Sequence, residues 1–338
     1  MRHLLSIEDL DRDGLEDILE QAERFADHAA REVKKLPALR GKLVVNLFYE
    51  ASTRTRSSFE LAAKRLSADV LNFASSGSSV EKGESLKDTV ATLSAYGPDA
   101  LVVRSPHVGA AQLITGWTPA SVVNAGDGTH EHPTQALLDV YTLRRRMGPL
   151  EGRSIWIVGD VLHSRVARSD ILAFTLMGAE VTVCGPPTLI PRGIESLGCK
   201  VRYDLEELRE ADVVYALRMQ NERMRSSYVP SLREYTACYR IDSRRLHPRQ
   251  ILMHPGPVNR GVELSSDVVD SPQALITAQV KAGVVVRMAV LYTLLAGRGG
   301  RPSGAGEVAP ETPEPPATEA IAIARSTEAP VSLPRGES

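Results

Sequence analysis

From residue 43 onward, short apolar runs alternate with longer segments whose apolar residues recur at offsets of three and four. These are the periods of buried strands and one-sided helices. Leu43 to Phe48 reads as a strand, Ser57 to Leu66 as a helix presenting Phe59, Ala62, Ala63 and Leu66 on one face, and Val70 to Phe73 as a strand. A helix over Leu86 to Ala95, a strand over Ala100 to Val103 and a helix over Ala110 to Gly116 follow. A helix from His132 or Pro133 to Arg146 stops at Gly148-Pro149. A second series has a strand over Ile155 to Asp160, a helix aligning Ala167, Ile171 and Phe174, strands over Val181 to Cys184 and Asp212 to Leu217, and a helix from about Thr277 to Leu295. Strands alternating with helices predict an α/β chain with two doubly wound parallel-sheet domains joined by helices. The expected division is 1–134, completed by the returning helix over about 277–296, and 150–276.

Composition then narrows the picture. Residues 297–338 hold seven of the 21 prolines and no aromatic residue, which predicts a disordered tail. The formal net charge of −2 supplies no basic field for nucleic acid, so any arginine that matters must act locally. Cys184, Cys199 and Cys238 match no metal-ligand spacing and read as reduced thiols. No basic-then-apolar leader is evident and no apolar run approaches a membrane-spanning length, so the expected location is the cytoplasm.

Candidate chemistry clusters at the carboxyl ends of the expected strands, where open α/β sheets bind ligands. Tyr49-Glu50-Ala51-Ser52-Thr53-Arg54-Thr55-Arg56 joins the Leu43 strand to a helix through hydroxyls and two arginines. Hydroxyls capping the helix start, unpaired N–H groups, the helix dipole and guanidinium forks together make an anion trap. Arg104 leaves a buried strand; alone it reads as a solvated arginine, and beside the Ser52 loop it could reach the same anion. His132-Pro133-Thr134-Gln135 places His132 and Gln135 at a helix start. His130 and His132 could instead ligate a metal, or His132 could only cap the helix, but no third ligand of suitable spacing accompanies the pair, and no metal or cofactor is expected. The Ser75 to Ser85 stretch reads as a linker or as a lid carrying Lys82. Arg165 and Arg218 each follow a strand of the second series, and His254-Pro255-Gly256-Pro257 forms a rigid turn with exposed carbonyls. Val158-Gly159-Asp160 is not followed by G-x-G-x-x-G, and no P-loop is present.

Ser52-Thr53-Arg54-Thr55-Arg56, His132-Pro133-Thr134-Gln135 and His254-Pro255-Gly256-Pro257, in this order and spacing, resemble the carbamoyltransferase family over residues 1 to about 296. Leu217 to Arg223 and the Ser78 to Glu84 loop resemble its aspartate-specific members. The Ser-Met-Gly segment and His-Cys-Leu-Pro turn of ornithine-specific members are absent. The resemblance implies transfer of the carbamoyl group of carbamoyl phosphate to L-aspartate, giving N-carbamoyl-L-aspartate and phosphate, an early step of pyrimidine (UMP) synthesis. The alternatives are another amine such as ornithine, or a non-catalytic scaffold for a partner enzyme.

It further implies that Ser52, Thr53, Arg54 and Thr55 hold the phosphate, with Arg104 reaching it and the carbonyl oxygen. His132 and Thr55 would donate to that oxygen, while Gln135 and the carbonyls of Pro255 and Gly256, beside Pro257, would take the carbamoyl amide. Arg165 and Arg218 would clamp the aspartate carboxylates, assisted by Gln220. Lys82 and Ser78 would arrive from a neighbouring subunit of a homotrimer with shared sites. No motif decides whether a zinc-bearing regulatory chain or a dihydroorotase joins that trimer. Gly256 stands where many family members carry a larger apolar residue.

Overall fold

In the computed structural model, the structure describes residues 1–29, 31–74, 83–220 and 228–296. The first sheet is built from β1 (Leu43–Phe48), β2 (Asp69–Ala74), β3 (Ala100–Ser105) and β4 (Ser121–Asp127), all parallel, in the order β2-β1-β3-β4. The second contains β5 (Ser154–Val158), β6 (Glu180–Cys184), β7 (Lys200–Arg202), β8 (Val213–Ala216) and β9 (Ile251–Met253), also parallel, in the order β7-β6-β5-β8-β9. Crossover helices cover both faces, so the central strands are mostly apolar, and the buried Asn46 of β1 donates to Asn72 at 2.8 Å. On β1, Val44 and Phe48 enter one core cluster while Val45 and Leu47 enter another across the sheet.

The helices are α1 (Arg12–Ala29), α2 (Thr53–Arg65), α3 (Leu86–Ser94), α4 (Ala110–Thr115), α5 (Pro133–Met147), α6 (Arg165–Leu176), α7 (Leu232–Tyr239), α8 (Ser266–Val269) and α9 (Ile276–Leu295). The two-sheet α/β expectation agrees with this architecture. Both sheets belong to one compact unit, Met1–Gly300, and the expected tail over 297–338 lies outside the described residues. Phe59, Ala62, Ala63 and Leu66, the face expected of α2, are all fully buried.

Several expectations need correction. α2 begins at Thr53, four residues before the expected start, because its apolar face begins only after the polar first turn. Ser52 sits at the N-cap but makes no side-chain capping bond, so its hydroxyl is not spent on the helix. α1 and β4 lie outside the expected elements. The apolar face of α1 (Leu15, Ile18, Leu19, Ala22, Phe25) is regular, whereas β4 is interrupted by Asn124, Gly126 and Asp127 and reads poorly as a strand. Finally, α9 is 20 residues with a mean hydropathy of 1.4, long and apolar enough by those measures to cross a membrane. It is 67% buried and packs against α1, α2 and α5, the behaviour of a core helix.

Candidate active site

Each sheet has a point where its strand order reverses, and ligands of open α/β sheets bind beyond the carboxyl ends of the strands there. In the first sheet that point lies between β1 and β3, which release the Ser52 loop and Arg104. Register pairs Phe48 with Arg104, and the Tyr49 N–H donates to the Arg104 carbonyl at 2.9 Å, so the two chain exits are locked side by side. In the second sheet it lies between β5 and β8, which lead into Arg165 and Arg218. Both points open onto one cleft of about 980 Å³.

Ser52, Thr53, Arg54, Thr55, Arg104, His132, Gln135, Arg165, Arg218, Gln220, Pro255, Gly256 and Pro257 all line this cleft. Arg56 is exposed and does not. Lys82 and Ser78 lie outside the described residues. Arg287 on α9 also lines the cleft. Among the described lining residues, five arginines therefore face one carboxylate, Glu50. Like charges crowd: burial first, and then the Arg218 charge, lower the pKa of Arg54. Such a surface favours anionic occupants, which remove the repulsion on binding.

Glu50 organises the arginines. Its carboxylate lies 3.4 Å from Arg104 Nε and accepts a short bond from Arg165 Nη2, joining a residue of the first sheet to the first turn of α6. Arg104 Nη1 also donates to the Ala125 carbonyl at 3.1 Å. The two guanidinium groups cross the backbone at Gly126, φ +116°, where a Cβ would stand 3.1 Å from Arg104 Nη1, Arg165 Cδ and Arg165 Nη1. Glycine suits the conformation there, and a Cβ would press both guanidinium groups aside by a few tenths of an ångström. Gly256, φ +64°, similarly admits the Arg54 guanidinium, whose carbon would lie 3.1 Å from a Cβ.

His132 is the N-cap of α5, but its side chain caps nothing; Nε2 lies 3.5 Å from Thr55 Oγ1. Its backbone N–H donates to Ser169 Oγ at 2.8 Å, and Ser169 donates to Glu131 at 2.9 Å. Burial first, then the charges of Arg104, Arg287 and Arg165, hold the imidazole pKa well below its ordinary value. His132 is neutral at physiological pH.

The turn after β9 is fixed from beneath. His254 Nδ1 accepts the Gly256 N–H at 2.8 Å, so the ring proton sits on Nε2, 3.2 Å from Glu263 Oε1. Glu263 also accepts the Asn259 N–H at 2.6 Å. On the other loop, Asp160 accepts the Gln220 N–H at 3.3 Å and both the backbone and ring nitrogens of His163. Sequence reasoning missed Glu50, Glu263, Asp160 and Arg287 as parts of the site. The one legible signal was Arg287, a cation set within the apolar run Val284 to Leu291 of α9. No group of three or more potential metal-ligating side chains occurs among the described residues.

Comparison with known proteins bears on what such a cleft holds. Residues 2–145 match the family described as aspartate/ornithine carbamoyltransferase, carbamoyl-P binding domain, and residues 151–294 match its Asp/Orn binding domain. The aspartate carbamoyltransferase catalytic subunit of Salinispora tropica is 60% identical over 304 residues, covering 88% of this chain and 99% of the relative. That of Acidothermus cellulolyticus is 56% identical over 313 residues, covering 91% and 96%. The aspartate transcarbamoylase of Trypanosoma cruzi, solved in complex with carbamoyl phosphate and aspartate, aligns with a TM-score of 0.78 at 31% identity, over 87% of this chain and 97% of that one.

Proposed function

Because the chain belongs to the aspartate/ornithine carbamoyltransferase family, we propose that its cleft holds carbamoyl phosphate at the first sheet and L-aspartate at the second. The activity is transfer of the carbamoyl group to L-aspartate, giving N-carbamoyl-L-aspartate and phosphate. One observation carries the assignment of roles: arginines leaving the reversal points of both sheets line a single cleft. Two substrates that bring several negative charges together need fixed cations of this kind.

In the proposed arrangement, the N–H groups at the start of α2, the hydroxyls of Ser52, Thr53 and Thr55, and Arg54 hold the phosphate. The aspartate amine attacks the carbonyl carbon, and the charge that builds on the carbonyl oxygen is met by Arg104, Thr55 and His132. The depressed pKa of His132 supports a neutral N–H donor there and argues against a base. The departing phosphate takes the amine proton, so no side-chain nucleophile enters. Gln135 and the carbonyls of the Pro255-Gly256-Pro257 turn accept from the carbamoyl amide. Arg165 and Arg218 pair with the two carboxylates of aspartate, with Gln220 beside them. Removing one donor to the carbonyl oxygen costs on the order of 10²-fold in turnover.

The domain reading assigns carbamoyl phosphate to 1–134 with the helix over about 277–296, and aspartate to 150–276. It draws support from the separate family matches and from the packing of α9 against α1, α2 and α5. A homotrimer with Lys82 and Ser78 crossing into a neighbour's site is supported by the motif resemblance and by the relatives' designation as catalytic subunits. A regulatory chain or dihydroorotase as a further partner, service in pyrimidine synthesis and a cytoplasmic location belong to the same proposal. The three cysteines, all free, are compatible with that location. Chains carrying Lys82→Ala and Arg54→Ala, each inactive alone, regain activity when mixed if sites are shared; no recovery despite subunit exchange argues against it. The assignment itself is tested by assaying aspartate and ornithine in parallel. Carbamoylated aspartate alone is expected, and turnover of ornithine alone, or of neither, overturns it.

A further inference from the structure

Beneath the cleft lies a buried carboxylate that the reaction does not use directly. Asp139 on α5 is fully buried, and three donors converge on it. Gln135 Nε2 approaches its two oxygens at 3.2 and 3.0 Å, Gln279 Nε2 reaches Oδ1 at 2.7 Å, and the Tyr215 hydroxyl reaches Oδ2 at 2.8 Å. An ionised carboxylate only accepts, so it decides which way both amides face. With the nitrogen of Gln135 turned down to Asp139, its carbonyl oxygen is the end left for the cleft. With the nitrogen of Gln279 turned the same way, its oxygen accepts the His254 N–H at 3.1 Å, at the root of the Pro255-Gly256-Pro257 turn. Both structures that would accept from a carbamoyl amide are therefore oriented by one side chain, the first directly and the second through Gln279.

We propose that Asp139 is the positioning residue that makes the cleft choose an amide over a methyl group, by holding Gln135 and, through Gln279, the turn after His254 as hydrogen-bond acceptors. The inference rests on the carbamoyl phosphate reading of the cleft and extends it to the origin of selectivity. Asp170, also fully buried, lies beside Asp139. Burial raises the pKa of both carboxyls, that of Asp139 only to about 6 because Gln279, Gln135 and Tyr215 donate to it, and that of Asp170 far higher because the Asp139 charge adds to burial, so near neutral pH the charge of the pair sits on Asp139. Arg287, whose pKa is pushed down to about 10 by burial, faces that charge from α9.

An Asp139→Asn side chain presents one NH₂ group where an acceptor stood. At the Oδ1 position it would oppose Gln279, whose oxygen is committed to the His254 N–H; at the Oδ2 position it meets Tyr215, which can turn its hydroxyl to accept, and Gln135. The second placement is the easier one; it sets a donor against Gln135 Nε2, leaves it only the longer 3.2 Å contact to the Oδ1 side, and so frees Gln135 to flip and point a donor at the ligand.

Carbamoyl phosphate and acetyl phosphate differ by NH₂ against CH₃ and are the probes. Their dissociation constants are measured by calorimetry for the wild type, Asp139→Asn, Gln279→Met and Tyr215→Phe, with a melting curve for each. The wild type is expected to prefer carbamoyl phosphate. Asp139→Asn should cut that preference by about ten-fold, mainly by weakening carbamoyl phosphate. Gln279→Met, which keeps the Asp139 carboxyl group but removes its 2.7 Å donor together with the link to the turn, should cut it by about three-fold. Tyr215→Phe should leave it unchanged. Equal weakening of both phosphates in Asp139→Asn, or in Gln279→Met should the first variant not fold, overturns the positioning role and leaves the reaction assignment standing. A loss of preference in Tyr215→Phe as large as in Asp139→Asn also overturns it. A wild type that binds both phosphates alike, or neither, overturns the carbamoyl phosphate reading.

Discussion

Replacing Gly126 by alanine sets one methyl group against both arginines that Glu50 joins. The new Cβ would stand 3.1 Å from Arg104 Nη1 and equally close to Arg165 Cδ and Nη1, and the backbone would have to keep φ +116° with a side chain attached. The conformational part costs about 1–3 kcal/mol of stability. The steric part moves two guanidinium groups by a few tenths of an ångström, where a full ångström of misplacement costs about 10²-fold in rate, so a ten-fold loss in kcat/KM is the expected order. Because Arg104 belongs to the proposed phosphate half and Arg165 to the proposed aspartate half, KM should rise for both substrates together. Steady-state carbamoylation with each substrate varied in turn, alongside a melting curve, reads both effects. A folded Gly126→Ala enzyme with wild-type kcat and both wild-type KM values would refute the reasoning that these two arginines must cross the backbone at this point.

Two further predictions follow from the same geometry. Glu50→Ala removes the carboxylate from Arg165, which is only 4% exposed, and from Arg104; kcat/KM is expected to drop by on the order of 10- to 100-fold in the same assay. For His132, the folded-state pKa lies below the unfolded value, so below about pH 6.5 the unfolded chain takes up a proton that the folded chain refuses. That contribution is present at neutral pH and shrinks as pH falls. Melting temperatures recorded from pH 7.5 to 5 should therefore decline more for the wild type than for His132→Gln, and parallel curves would contradict the depressed pKa.

The sequence displayed the strands that are continuously apolar, the face of α2 and the helix α9, because burial on both sides of a parallel sheet leaves nothing polar to interrupt them. β4 was obscured by Asn124, whose amide donates to the Leu5 carbonyl and to Asp127, a polar role inside a strand that no period reveals. Arg54, Arg104, Arg165 and Arg218 were legible because each lies at the carboxyl end of a strand or in the short segment that follows it. Their partners were not. Glu50 meets Arg165 across 115 residues, Asp139 meets Gln279 across 140, and Arg287 meets Ser58 across 229. Such pairings depend on how the elements pack, which local spacing does not encode. Glu50 stood within a motif already singled out and Asp139 one helical turn beyond Gln135, and only the fold showed that one joins the arginines and the other lies under the amide acceptors.

The central claim is that the two reversal points divide the labour, the first sheet taking the phosphate and the second the aspartate carboxylates. A crystal structure of this chain with N-(phosphonacetyl)-L-aspartate, which joins the two halves in one unreactive molecule, tests it most directly. The phosphonate is expected at the start of α2 against Ser52 to Thr55 and Arg54, with the carboxylates at Arg165 and Arg218. A phosphonate seated at the β5–β8 end, or carboxylates that touch neither Arg165 nor Arg218, would contradict the account.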